Sequence, residues 1–443
     1  AQALAAASAA AVALDAAVDN AKDCIQVLGG IGYTWEHDAH LYLRRALSLR
    51  QLVGGGERWR ARTAELALSG DRREARLSLA GRAEQTREEV RRVAEALRDA
   101  PPDARRRGLA DSGLLAPHWP QPYGRGAGAA EQLVIDEELE RHGITRPNLL
   151  IAGWAVPTVI EHGTDAQRER FVRPSLRGEI TWCQLFSEPG AGSDLASLRT
   201  RAERADGGWR LTGQKVWTSL AHEADWAICL ARTNAETPKH QGITYFLVDM
   251  RSEGVEVRPL REMTGEALFN EVFLDRVLVP DDCVVGEVDG GWRLARATLA
   301  NERVAMSGGS SLGSAVEQLL ALAAETDVAD DPVVRDRLGG LVAQGHAVSM
   351  LGLRGTLRSL RGEGPGAESS VQKLVGVEHR QAVAETALEL LGPSGAAVDD
   401  RSAPVIHEML VSRCLSIAGG TTQVLRSLVG ERVLGLPREP SGS

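Results

Sequence analysis

The sequence predicts an α+β protein in which helical segments flank a β-rich middle. Two glycine-containing stretches mark that middle, one running from Gln184 to Asp194 and the other from Gly213 to Ser219. Between them, the residues Gly-Gly-Trp-Arg-Leu-Thr-Gly separate two short apolar runs, as in a β-hairpin. On both sides, alanine-rich and alternately charged stretches favour helices. The 443 residues suffice for two or three packed units.

Composition excludes several function classes. The formal net charge of -9 argues against a nucleic-acid surface, because phosphate binding needs concentrated positive charge. We expect no bilayer-spanning run, and residues 1–20 lack the basic start and cleavage pattern of a signal peptide. The five cysteines are scattered without a CxxC pair, which favours a reduced, cytoplasmic protein with buried thiols and no metal site.

The first glycine-containing stretch offers what a polar ligand needs. Gly190 and Gly192 let the backbone come close to a ligand, and Ser187 and Ser193 offer hydroxyls beside the loop amides. Trp217, in the second stretch, supplies a flat apolar face with a polar edge. The loop alone fits a glycine-rich turn in a β domain equally well, but both stretches at this spacing are more specific.

Together the two stretches resemble the flavin-binding signatures of the acyl-CoA dehydrogenase family. The resemblance continues through 242–249 and through 269–280, which is similar to the strands that close the family's middle domain. It implies a fold with an N-terminal helical domain, a middle β-barrel-like domain and a C-terminal four-helix bundle. It also implies FAD as cofactor, acyl-CoA as substrate, flavin N5 as hydride acceptor and electron-transfer flavoprotein as the next electron acceptor.

The resemblance implies roles for individual residues. Ser193 and Gly419 are expected to contact the substrate, and Ser219 is expected near flavin N5. The predicted cofactor-binding residues of the main unit are Gln184, Phe186, Ser187, Trp217, Thr218, Ser219, Thr421 and Gln423.

The catalytic base is predicted at an unusual place. The family's most common base is the glutamate of a Tyr-Glu-Gly-Thr-x-Gln segment near the C-terminus, but here Gly419 stands at that position and cannot accept a proton. A minority of the family has its base on an early helix of the C-terminal domain, and 299–306 resembles that segment. Glu302 is therefore the predicted base, and Arg303 is predicted to contact the CoA side. A solvated Glu-Arg pair on a helix face remains the alternative.

Residues 1–70 do not fit a single unit of this family. They contain Gln26, Gly29 and Gly30 in a Gln-x-x-Gly-Gly-x-Gly-Tyr run, which the family has near its C-terminus. We interpret 1–70 as the helical remnant of a first unit, whose Gln26, Gly29 and Gly30 bind the cofactor; an unrelated helix–turn–helix is the alternative. The predicted domains that follow are 71–180 (connector and N-terminal helical domain), 181–285 (middle β domain) and 286–443 (C-terminal helical bundle).

The main unit lacks two segments that family members give to a partner's flavin. In place of Arg-x-x-Phe-Gly it has the acidic run 323–333, which would repel a pyrophosphate. In place of Gln-x-x-Gly-Gly it has Glu389 and Pro393, and proline removes an amide donor. The chain thus resembles the asymmetric paired-unit enzymes of actinobacterial steroid side-chain degradation, which implies a hetero-oligomer with a missing first unit. An acyl-CoA oxidase and a non-catalytic scaffold subunit remain alternatives.

Overall fold

The computed structural model describes residues 1–72, 84–307, 311–326, 328–360 and 368–438, with the side chains of 303–307, 311–314, 359, 360 and 368 left out of the description. The elements in chain order are α1 (Gln2–Leu28), α2 (Ala39–Val53), α3 (Gly55–Leu68), α4 (Glu84–Leu97), α5 (Pro102–Asp111), α6 (Ala129–Arg141), α7 (Ala152–His162), α8 (Asp165–Arg177), β1 (Trp182–Leu185), β2 (Arg201–Ala205), β3 (Gly208–Ser219), β4 (Trp226–Arg232), β5 (Ile243–Asp249), β6 (Val255–Pro259), β7 (Phe269–Pro280), β8 (Val284–Val285), α9 (Gly291–Ser307), α10 (Ser311–Ala324), α11 (Pro332–Leu360), α12 (Glu368–Leu390), α13 (Ala403–Val411) and α14 (Thr422–Arg432). The predicted α+β class, with helices before and after a β-rich middle, is confirmed.

The chain folds into two compact units. One comprises 78–308, and the other joins 1–77 to 309–443. Helix α9 belongs to the first of these because it packs on α7 and β5, whereas α1 and α3 pack on α11 in the second. The compact units therefore divide the chain at different places from the sequence-based domains, which follow local composition and motif order.

The unit 78–308 is built around an eight-stranded mixed sheet. Its strand order is β6-β7-β3-β2-β4-β5-β8, and β1 pairs with β4 in parallel. The long β3 and β7 are antiparallel, with a register shift between Lys215 and Thr218. Strand β5 is buried at every position but its last, which explains its continuous apolar sequence. Helices α4 to α9 share one hydrophobic core with the sheet.

The second unit is helical and brings the N-terminal helices against the C-terminal ones. A Cβ built on Gly339 of α11 would lie 1.8 Å from the Arg60 carbonyl oxygen. Glycine at this position therefore lets the backbone of α11 lie directly against the backbone of α3. Arg60 donates to Asp336 at 2.9 Å, and Arg50 donates to Asp15 at 2.9 Å. Since Arg60 also donates to Asp15, these ion pairs link α1, α2, α3 and α11.

Residues 1–70 and the C-terminal part of the chain repeat the same element order. Helices α1 and α12 each lead into a 3₁₀ turn, at Gly29–Tyr33 and Gly392–Ala396. Each turn is followed by a helix (α2 or α13) and then by two glycines with positive φ, at 54–55 and at 419–420. The helices α3 and α14 come next. This correspondence supports the interpretation of 1–70 as the remnant of a first unit of the same kind.

One helical segment meets the length and composition test for a membrane span. The helical segment Gln2–Tyr33 is long and apolar enough to cross a membrane by length and composition alone, with a mean hydropathy of 1.3. Alternate turns of this segment, at Leu4, Ala7, Ala11 and Val18, are buried in the helical unit. A core helix of this composition passes the same test, so a single such segment is weak evidence for a membrane span.

Candidate active site

The two glycine-containing stretches lie side by side in the unit 78–308. The amide of Val216 donates to the Ser187 carbonyl at 3.0 Å. Beneath that contact, the fully buried ammonium of Lys215 donates to Glu188 Oε1 at 2.8 Å and to the Phe186 carbonyl at 3.1 Å. Burial by itself would raise the pKa of Glu188, but the Lys215 charge and several hydrogen bonds lower it overall. The loop after β1 is therefore fixed to β3 by an internal ion pair.

Trp217 lies in the irregular part of β3 and points into the open. Its φ is +60°, an unusual value for a bulky residue, and its side chain is 62% exposed. The indole meets Phe269 edge to face, with ring centroids 6.3 Å apart. A large aromatic ring is thus exposed at this part of β3.

Polar groups beside Trp217 are available to a ligand. The hydroxyls of Ser187, Ser193 and Ser219 make no hydrogen bond within the described residues. A Cβ built on Gly190 or Gly192 would meet no atom within 4 Å, so the loop surface is open above both glycines. The Val216–Ser187 hydrogen bond places the start of this loop next to the strand segment that carries the indole.

Two predicted cofactor residues point the other way. The side chain of Thr218 is 1% exposed and that of Phe186 is 2% exposed. Thr218 follows Trp217 directly, so the strand's alternation turns its side chain into the protein. In this structure neither side chain lies on the exposed face with Ser187 and Trp217.

Glu302 lies close to the start of the first glycine-containing stretch. Its Oε2 accepts a hydrogen bond from Gln184 Nε2 at 3.1 Å, and Gln184 Oε1 accepts one from the Trp154 indole at 2.7 Å. All three side chains are half-buried. The predicted base on α9 is therefore joined through Gln184 of β1 to Trp154 of α7. Arg303 follows Glu302 in α9, and its side chain lies outside the described residues.

The remaining predicted site residues belong to the other compact unit. Thr421 caps α14, accepting a hydrogen bond from the Val424 amide at 3.3 Å, and Gln423 is exposed in the first turn. Gly419 has a φ of +65°, and Lys373 Nζ donates to the neighbouring Gly420 carbonyl at 2.9 Å. At the end of α1, Gln26, Gly29 and Gly30 are exposed.

The acidic segments that replace the partner motifs have local roles. Asp331 accepts from the amides of Val333 and Val334 at 2.7 and 3.3 Å and so caps α11. Glu389 forms an ion pair with Arg337. Asp331 therefore stabilises the start of α11, and Glu389 of α12 links that helix to α11.

Comparison with known proteins decides the family. Three acyl-CoA dehydrogenase domain models match in sequence: the N-terminal domain over 73–179, the middle domain over 183–277 and the C-terminal domain over 289–434. The chain belongs to the acyl-CoA dehydrogenase family. The resemblance predicted from the two glycine-containing stretches is thereby confirmed.

Individual relatives align with this chain over most of its length. It is 57% identical over 435 residues to the acyl-CoA dehydrogenase FadE34 of Mycobacterium tuberculosis, an alignment that covers 98% of this chain and 60% of that protein. The chain thus spans less than two thirds of FadE34. Among solved structures, it is similar to the Tcur3481-Tcur3483 steroid ACAD (29% identity, TM-score 0.69, covering 83% of this chain and 99% of the other). It is also similar to the ChsE4-ChsE5 complex from Mycobacterium tuberculosis (28%, TM-score 0.67, 82% and 100%).

The family is FAD-dependent, and the residues on the exposed face fit such a group. A flat ring system with polar edges needs an aromatic surface, donors at its rim and a backbone that can approach closely. Trp217, the Ser187 and Ser219 hydroxyls and the open loop at Gly190 and Gly192 supply these. The donor set is therefore compatible with flavin binding at this face.

Three contributors to the site were missed in the sequence. Trp154 and the Glu188–Lys215 pair carry no motif of their own. For Trp154 the sequence holds one signal, a matching spacing of polar residues on two helices. Trp154 lies four residues before Thr158, and Thr298 lies four residues before Glu302. Residues four apart share a helix face. A surface cleft of about 640 Å³ between α4 and α5 contains none of the predicted site residues.

Proposed function

We propose that this chain dehydrogenates an acyl-CoA thioester between its α and β carbons, with Glu302 as the base that removes the α proton. The observation that carries the proposal is the Gln184–Glu302 hydrogen bond, 3.1 Å long. It joins the carboxylate of α9 to the strand that leads into Ser187. The proposed base and the predicted flavin-binding residues Ser187, Trp217 and Ser219 thus come from one compact unit.

The chemistry assigns separate tasks to the chain's residues. An α proton next to a thioester carbonyl becomes acidic when that carbonyl accepts hydrogen bonds, and an ionised Glu302 within reach can then remove it. Ser187, Trp217 and Ser219 would hold the ring of FAD. When bound, FAD supplies the two-electron oxidation. Gly419 has no side chain, so the family's more common base position carries no carboxylate here.

Substrate, acceptor and partner belong to the same proposal. A bulky steroid side-chain acyl group is favoured by the likeness to the Tcur3481-Tcur3483 steroid ACAD. A second, unlike unit is favoured by the likeness to the ChsE4-ChsE5 complex. Electron-transfer flavoprotein is the proposed acceptor. The five unpaired cysteines favour a reducing, cytoplasmic setting.

The test is a Glu302→Gln variant of the flavin-loaded protein. Glutamine keeps the size and can still hydrogen-bond to Gln184, but it cannot accept the α proton. We expect turnover of a screened set of straight-chain and steroid acyl-CoA thioesters to fall by about 10²–10⁴-fold or more, with flavin absorbance and CoA-ester binding retained.

The outcomes separate the competing functions. Near-normal turnover in Glu302→Gln would rule out Glu302 as the base. A wild-type protein that binds no flavin, or whose flavin is not bleached anaerobically by any thioester, would indicate the scaffold subunit instead. Rapid reoxidation of the bleached flavin by air with stoichiometric peroxide would indicate an oxidase.

A further inference from the structure

Two polar rungs connect helices α7 and α9. On α7, Trp154 and Thr158 are one turn apart, and on α9, Thr298 and Glu302 are one turn apart. Residues four apart lie on one helix face, and the two helices pack against each other. The first rung is the hydrogen-bonded series Trp154–Gln184–Glu302. The second rung is the hydrogen bond between Thr158 and Thr298, one turn before Glu302.

The first rung fixes the orientation of the Gln184 amide. An indole N–H only donates, and an ionised carboxylate only accepts. The Trp154 indole therefore meets Gln184 Oε1 at 2.7 Å, and the Gln184 NH₂ group is left to donate to Glu302 Oε2 at 3.1 Å. Flipping the amide would set donor against donor at one end and acceptor against acceptor at the other.

The second rung holds α9 in place one turn before the carboxylate. The Thr298 hydroxyl lies 2.8 Å from the Thr158 hydroxyl and 3.1 Å from the Tyr245 hydroxyl. It also donates to the Leu294 carbonyl at 3.0 Å. All three hydroxyl residues are at most 1% exposed, and buried hydroxyls are costly to leave unpaired. Any slide of α9 along α7 would break this rung, so the backbone under Glu302 is fixed.

We propose that Gln184 is a positioning residue that holds the Glu302 carboxylate for proton removal, and that Trp154 keeps Gln184 in its donating orientation. This inference rests on the proposed function. A reacting group must be held within roughly 0.5 Å of its productive place by neighbours that are themselves fixed. Gln184 meets that requirement because its other end is anchored. Gln184 then acts on the base, whereas the family resemblance implied that it contacts the cofactor.

The test compares two tryptophan variants and one glutamine variant. Trp154→Phe removes only the indole donor to Gln184, and Gln184→Leu removes the bond to Glu302. The matched control is Trp182→Phe: the Trp182 indole, two residues before Gln184, donates to the Ser175 hydroxyl at 2.7 Å, so it loses the same kind of bond away from Glu302.

Two readouts are measured. One is kcat and KM for the thioester that wild type oxidises fastest. The other is exchange of the α protons of its 3-thia analogue in D₂O, followed by mass spectrometry. The analogue has sulfur at the β position, so it can lose an α proton but has no β hydrogen to transfer.

We expect Gln184→Leu to lower kcat and the exchange rate by about 10–100-fold, in line with outer-shell substitutions elsewhere, with KM within about twofold. Trp154→Phe should lower both in the same sense but less, and Trp182→Phe should lower only the melting temperature. In a Glu302→Gln background, Gln184→Leu should add nothing further, because residues acting as a unit are not additive.

Wild-type exchange in Gln184→Leu, or equal kinetic losses in Trp154→Phe and Trp182→Phe, would overturn the positioning role. If Glu302→Gln itself exchanges α protons at the wild-type rate, the proposed function fails instead. If Gln184→Leu does not fold, Trp154→Phe against Trp182→Phe still decides the matter.

Discussion

Trp217 combines two features that a folded chain normally avoids. Its backbone has a φ of +60°, which costs a non-glycine residue on the order of 1–3 kcal/mol, and its indole is 62% exposed. The ring contacts Phe269 edge to face, and this contact buries too little of the indole to offset the backbone strain. Contact between the indole and a bound ring would account for both features.

Truncating this side chain should therefore affect the cofactor more than the fold. We expect Trp217→Ala to purify with a lower ratio of flavin to polypeptide than wild type, measured as visible absorbance at equal protein concentration. Its melting temperature without flavin should change little, because most of the indole is already in solvent. Leu278→Ala is the control: Leu278 is 44% exposed at the opposite end of the β3–β7 ladder. Full flavin occupancy in Trp217→Ala would refute the placement.

At the scale of elements, one ion pair fixes the glycine-containing loop to the sheet. Lys215 of β3 donates to Glu188 in the loop, to the Phe186 carbonyl and to the Leu230 carbonyl of β4. Glu188 also accepts from the amides of Arg199 and Thr200. The Lys215 ammonium and both carboxylate oxygens of Glu188 therefore have hydrogen-bond partners, as a buried ion pair requires. The pair therefore fixes the start of the loop to β3 and β4.

Removing half of this pair should be far worse than removing both halves. We expect Lys215→Met to lower the free energy of unfolding by about 3–5 kcal/mol, since it leaves a buried carboxylate uncompensated. Glu188→Gln/Lys215→Met should recover part of that loss. Lys239→Met, which breaks the half-exposed pair with Asp194 at 2.8 Å, should cost about 0–1 kcal/mol. A double variant less stable than Lys215→Met alone would contradict this account.

The same pair should make the free energy of unfolding decrease as the pH falls. The pKa of Glu188 is lower in the folded state than its ordinary value: burial opposes this, and the Lys215 charge outweighs it. Its contribution to stability is therefore full above the unfolded pKa of about 4.3 and is lost as pH falls through the folded pKa. Between about pH 6 and pH 3, wild type should lose more stability than the double variant.

Motif and composition predicted the helix–strand–helix order, the family and the β-rich middle that contains the two glycine-containing stretches. They could not predict which side chains meet. Glu188 and Lys215 are 27 positions apart, and neither differs in type from a surface charge. The direction of the Gln184 amide depends on Trp154, which reaches it from a helix 30 residues earlier. The positive φ of Trp217 and the register shift between Lys215 and Thr218 are strand irregularities that the sequence does not mark. Such details arise from tertiary packing.

At the scale of the whole molecule, the segment 27–52 leaves a set of large apolar side chains in the open. The exposed fractions are 86% for Val27, 88% for Tyr33, 76% for Trp35, 69% for Tyr42 and 82% for Leu52. Among the described residues, the core that α1 and α3 form with α11 contains no residue of 27–52, and Ala39 is the buried residue of α2. A concentration of this kind marks an interaction surface. The alignment covers only 60% of FadE34, so that relative has residues with no counterpart here.

We therefore predict that a second, unlike unit of the same family covers residues 27–52 and completes the flavin's far end, giving assemblies with one flavin for every two units. The unit would also bring the arginine that the acidic run 323–333 lacks. The measurement is flavin content together with mass from light scattering, on this chain alone and after addition of the second unit. Tyr42→Glu should weaken the association, whereas Val333→Glu, 76% exposed at the start of α11, should not. One flavin per chain in a homo-oligomer of these 443 residues would show that the chain completes its own site, and that the replacements at 323–333 and Glu389 do not prevent it from serving a second copy.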